Sequence, residues 1–120
     1  MKRTALALVA LLMGGTAQAD DYLVMGSGQK TCGSFISAIE GAPPGQYLSR
    51  GELSGELHSY QSWLMGFVSG INVERNHGAE RQISNVDLPA VDLWMRNWCN
   101  RHPTKTVFEG ALAFRREMLK

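Results

Sequence analysis

Two cysteines, three histidines and eleven carboxylates are the residues of this chain with chemistry to offer. Catalysis by any of them needs company, because a nucleophile requires a base within hydrogen-bond reach and a third group to orient that base. His58, His77 and His102 each stand without a serine or cysteine in a nucleophile motif. No pair of carboxylates is set at catalytic spacing, and no glycine loop followed by lysine offers to hold a phosphate. Cys99 comes three positions before His102, a spacing that suits two metal ligands, yet a zinc site takes more ligands than this neighbourhood supplies. The expectation is no catalytic residue, no metal and no cofactor, with the work done by binding.

The cysteines have a plainer use. The chain opens on Lys2 and Arg3, continues through an apolar run from Thr4 to Met13, and reaches Ala17-Gln18-Ala19, small residues where a signal peptidase cuts. About 11 apolar residues fall short of the roughly 20 that span a bilayer, so the run reads as a cleaved leader and the mature form carries no membrane span. Export to the periplasm, an oxidising compartment, makes one disulfide between Cys32 and Cys99 the expected state. They lie 67 positions apart, and closing a loop that long stabilises a fold by about 4 kcal/mol on the chain-entropy view. Lys2 and Arg3 leave with the leader, so twelve basic residues become ten against eleven acidic ones. Such a near-neutral domain lacks the basic excess of a nucleic-acid binder.

Helices must position whatever the protein uses. Residues 1–19 are read as leader, 20–30, with two glycines and no sustained period, as a flexible arm, and 31–120 as a single helical domain. Thr31 caps a short helix from Cys32 to about Glu40, with Phe35, Ile36 and Ile39 on one side, ended by Gly41 and Pro43-Pro44-Gly45. Ser54 is the expected cap of the longest helix, about Gly55 to Arg75, whose Leu57, Tyr60, Leu64, Phe67, Val68 and Ile71 form an inward stripe. Asp87 caps a third helix from Leu88 to about Asn100, with Pro89 tolerated in its first turn and Val91, Trp94, Met95, Trp98 and Cys99 at helical spacing. Thr106-Val107-Phe108-Glu109 is a capping-box opening for a fourth helix, which turns Val107, Ala111, Phe114 and Met118 inward. The fold class is all-α, a small bundle of about four helices closed by one disulfide.

Within that bundle Gly66 and Gly70 need a reason, since each costs about 1 kcal/mol in a helix relative to alanine. Helix packing, the close approach of a neighbouring helix, is the expected one; a groove left open for a partner is the alternative. A protein partner is best gripped by aromatic and arginine side chains, and the candidates are Trp63, Phe67, Trp94, Arg96, Trp98 and Arg101. Tryptophans at helical spacing also suit a core.

Thr31-Cys32-Gly33-Ser34-Phe35-Ile36, the long middle helix and a second cysteine late in the chain together resemble the HdeA/HdeB family of periplasmic acid-stress chaperones. The resemblance implies a small helical protein with one disulfide, a homodimer near neutrality that opens in strong acid to hold unfolded client proteins. Tyr60-x-x-Trp63-Leu64-x-Gly66-Phe67-x-x-Gly70-x-Asn72 and Trp98-Cys99-x-x-His102-Pro103 look similar to a wider set of exported proteins related to Tai-type type VI secretion immunity proteins. That likeness implies binding and blocking a toxin delivered to the periplasm. An accessory subunit of a secretion or conjugation machine is the third expectation.

Overall fold

The computed structural model describes residues 23–41 and 55–120. Four α-helices make up the described bundle: α1 Cys32–Glu40, α2 Glu56–His77, α3 Leu88–Arg101 and α4 Val107–Met118, preceded by a short 3-10 turn at Gly26–Gln29. No helix among the described residues is long and apolar enough to cross a membrane.

Side-chain caps start three of the helices. The hydroxyl of Thr31 accepts from Ser34 N at 3.2 Å, and the carboxylate of Asp87 accepts from Ala90 N at 3.0 Å. Thr106 and Glu109 close a full capping box, with Glu109 N donating to Thr106 Oγ1 at 3.1 Å and Thr106 N to Glu109 Oε2 at 2.8 Å. Each satisfies backbone N–H groups that the helix itself leaves unpaired. The start of α2 differs from expectation. Its N-cap is Gly55, at φ 112, with no side-chain cap, and Ser54 lies outside the described residues. Glycine carries that left-handed backbone without strain. In the first turn the Glu56 carboxylate meets the helix dipole, pairs with Lys30 at 3.1 Å, and accepts from the Tyr60 hydroxyl at 3.3 Å. At its other end α2 runs on to His77, two residues past the expected Arg75. Gly41 closes α1 in right-handed backbone, its N–H returning to Ser37 O at 3.0 Å; Pro43-Pro44-Gly45 lies outside the described residues.

The beginnings of α1 and α4 are built against each other. Cys32 N donates to Lys105 O at 2.7 Å, Gly33 N to Pro103 O at 2.9 Å, and Val107 N to Lys30 O at 2.9 Å. The Cys32–Cys99 disulfide adds α3 to the same knot, and no free cysteine remains. Thus the α3–α4 connection serves as a cap of α1, and Lys30, two residues before α1, as a cap of α4. Gly26–Gln29, within the stretch read as a flexible arm, is a helical turn packed on α2 and α4, with Ser27 and Gly28 buried.

Phe35 and Ile39 of α1, Leu57, Tyr60, Leu64, Val68 and Ile71 of α2, Val91 and Met95 of α3, and Val107, Ala111 and Phe114 of α4 are buried in one core. Phe67, Trp94, Trp98 and Met118, expected inside, are only partly buried at its margin. Ile83 joins the core from the α2–α3 connection, at 4% exposure. It is held there by Asn72, whose amide accepts from Ile83 N and donates to Ile83 O, both at 2.8 Å. One polar pair is also inside: Gln61 Nε2 donates to Asp92 Oδ2 at 2.7 Å between α2 and α3. Gln61 Oε1 and Asp92 Oδ1 have no protein partner among the described residues.

Candidate functional site: an aromatic face on α2 and α4

Trp63 and Phe67 stand one turn apart on α2, on the flank of the buried stripe rather than at its centre. Their rings stack, with centroids 5.5 Å apart and planes 16° from parallel. Phe108, from the first turn of α4, sets its edge against both, at 6.4 Å from Trp63 and 6.1 Å from Phe67. All three rings are half-buried. Stacked and edge-to-face arrangements of this kind bring the positive rim of one ring to the negative face of another. The indole N–H of Trp63 donates to Met25 O at 2.8 Å, so its polar atom is satisfied and its ring is fixed.

That fixing depends on glycines other than the two singled out from the sequence. A Cβ on Gly28 would lie 2.2 Å from Trp63 Cζ2, so the 3-10 turn seats the indole through the absence of a side chain. Gly110 does the same between α3 and α4, where a Cβ would come within 2.7 Å of Met95 Cε and 3.0 Å of Trp98 Cε3. Gly66 and Gly70, expected to mark a tight helix contact, are exposed, and a Cβ on either would meet nothing within 4 Å among the described residues. They lie on the solvent side of the flank that carries Trp63 and Phe67. Both glycines thus stand on open surface beside the aromatic rings. Leu23, at 88% exposure, and Met25, at 68%, extend apolar surface from the turn that grips Trp63.

The other candidates fall elsewhere. Trp94 packs edge-on against the buried Phe114 at 5.3 Å and works as a core-margin residue. Trp98 stacks on His102 at 4.2 Å, and the His102 Nδ1–H donates to Trp98 O at 2.8 Å, since a carbonyl can only accept. Arg96 stands beside Asp92 on the outer side of α3. Arg101 ends α3, where its cation meets the negative end of the helix dipole. The six residues therefore do not form one patch: only Trp63 and Phe67 are brought together. Phe108, which completes their cluster, carries no binding signal in the sequence because it sits inside the capping-box motif. Its half-burial follows from standing next to the inward Val107.

Among the described residues, three groups carry a shifted proton affinity. Burial pushes the Asp92 carboxyl up, against the smaller pull of the Gln61 hydrogen bond and the Arg96 charge. The Thr106 backbone N–H, with help from Lys105, holds the Glu109 carboxyl below the usual value. Tyr60, desolvated and facing the Glu56 carboxylate, is pushed up to about 12. His58 Nε2 comes within 3.4 Å of Ser62 Oγ, a serine–histidine approach the sequence reading did not register. Both lie on the exposed side of α2, and among the described residues no carboxylate orients the imidazole, so the approach lacks the third member of a relay. No three histidines, cysteines or carboxylates among the described residues stand close enough to hold a metal ion.

The arrangement offers a fixed, partly exposed aromatic platform with open glycine backbone beside it, the means to accept an apolar surface. No family model, no curated protein and no solved structure matches the chain.

Proposed function

We propose that this chain is a non-enzymatic binding protein of the periplasm whose target is another protein, received on the Trp63–Phe67–Phe108 face. The observation that carries the reading is the half-buried state of three rings already locked to one another. Rigid aromatic side chains lose little entropy on binding and give large contact area, which is why they anchor protein interfaces. Gly70 supplies the test, because its position is open and tolerates a photo-reactive side chain. With benzoylphenylalanine in place of Gly70, irradiated cells should yield a discrete adduct that disappears in the Trp63→Ala background. The same probe at Ser69, turned away on α2, should yield none. Equal labelling from both positions, or none from either, would overturn the reading.

An acid-activated holdase, as the likeness to the HdeA/HdeB family implies, is favoured by a second observation. The start of α4, and through it the knot with α1, is capped by an ionised Glu109. A carboxyl whose proton affinity is lowered by folding lends stability above its unfolded pKa, and that stability is lost as pH falls through the folded value. Acid therefore loosens the element that carries Phe108. A holdase should suppress light scattering by an acid-labile client near pH 2 to 3 at near-stoichiometric amounts, and Glu109→Gln should bring the onset of suppression to higher pH. A chain dedicated to one toxin or one envelope assembly, the immunity and accessory readings, would leave such a client to aggregate while still giving the adduct at position 70.

A further inference from the structure

A second surface has different chemistry. Between the end of α3 and α4 lies a groove of about 510 Å³ lined by Trp98, His102, Lys105, Glu109, Leu112 and Arg116. Trp98 and Leu112 give it an apolar floor. The Trp98 ring is immobilised from two sides, stacked on His102 and seated over Gly110. Lys105 and Glu109 neutralise each other at 3.1 Å, and the second oxygen of Glu109 is taken by the capping box. Arg116 is exposed and makes no ion pair among the described residues.

The segment of chain that builds the groove is basic. Residues 93–120 carry Arg96, Arg101, Lys105, Arg115, Arg116 and Lys120 against Glu109 and Glu117, a net of +4. Residues 20–92 hold nine carboxylates against Lys30, Arg50, Arg75 and Arg81, a net of −5; with Lys2 and Arg3 these reproduce the +1 of the whole chain. The near-neutral total thus hides a strongly bipolar chain, with the positive end at the groove. A field of that sign draws an anionic partner and orients it before contact.

We propose that the α3–α4 groove is a binding site for an acidic peptide segment of a partner protein, one that pairs a carboxylate with a neighbouring apolar side chain. The carboxylate meets the Arg116 guanidinium, which offers two parallel N–H donors to such a group, and the apolar side chain lies on Trp98 and Leu112. The Glu109 carboxylate in the middle of the groove selects against an unbroken polyanion, since a phosphate backbone would carry charge across it. This site is separate from the aromatic face of α2, and its test leaves that face intact.

The test is fluorescence anisotropy of a labelled peptide alternating Glu and Phe, titrated with the whole purified protein at about 0.15 M salt, where the Debye length is about 8 Å. Saturable binding is expected, absent for the same peptide with Lys in place of Glu. Arg116→Glu should weaken it by about tenfold or more, while Arg116→Lys, which keeps the charge but loses the paired donors, should weaken it by less. The double variant Ser62→Glu/Ser69→Glu, which makes the same change in net charge on the solvent side of α2, should shift it by no more than about twofold, because exposed charges beyond a Debye length are screened. Circular dichroism of each variant shows that the helices persist. Absence of saturable binding, an equal loss in the double variant, or binding of polyglutamate or a single-stranded oligonucleotide as tightly as the Glu/Phe peptide would overturn the proposal.

Discussion

At the scale of single residues, four glycines sort into two kinds that the sequence does not distinguish. Gly66 and Gly70 carry the recognisable spacing of a helix contact, yet they face open space. Gly28 and Gly110 have no pattern about them, yet each lies where a tryptophan ring passes against the backbone. A spacing of four reports that two residues share a helix face. It does not report whether another element covers that face. Gly28→Ala should therefore destabilise the protein by about 1 to 3 kcal/mol, since the Trp63 ring is pinned by its hydrogen bond and cannot simply retreat. Gly66→Ala should stabilise it by up to about 1 kcal/mol through helix propensity alone. Urea denaturation of the two variants measures both, and a Gly66→Ala variant less stable than the parent would restore the packing role to that position.

Between elements, the helices themselves were the most legible part of the chain, because caps and stops are local chemistry. Thr31, Asp87 and the Thr106–Glu109 box each start a helix where the sequence places it. What joins one helix to another was not legible. Asn72 reaching eleven residues ahead to hold Ile83, and Gln61 meeting Asp92 across α2 and α3, are pairings between groups that also occur on solvated surfaces. The aromatic face shares this limit: Trp63 and Phe67 announce themselves by helical spacing, but Phe108 arrives from another helix. The Gln61–Asp92 pair carries a pH signature. Burial raises the Asp92 pKa, so the folded state is penalised as pH rises from the unfolded value through the folded one, and relieved in acid. Gln61→Leu removes the amide donor to that carboxylate and should cost about 1 to 3 kcal/mol at neutral pH, shrinking as pH falls toward 3. A loss constant from pH 7 to pH 3 in denaturant titrations would show that Asp92 is not charged where it lies.

For the whole molecule, the disulfide was readable from two cysteines in a chain whose opening residues read as a leader, but the reciprocal capping around it was not, since it is made by backbone groups. Replacing Cys32 and Cys99 by alanine should lower stability by about 4 kcal/mol, the closure entropy of a 67-residue loop. An unchanged urea midpoint would show that closing this loop contributes no stability. Those ties also impose an order in time. The N–H groups of Cys32 and Gly33 wait for the carbonyls of Lys105 and Pro103, and Lys30 waits for Val107. Synthesis delivers the first partners long before the second, so α1 emerges with an open beginning and an unpaired thiol. The knot is completed only when the start of α4 is present, and no N-terminal portion ending before residue 105 contains the partners of its own first helix.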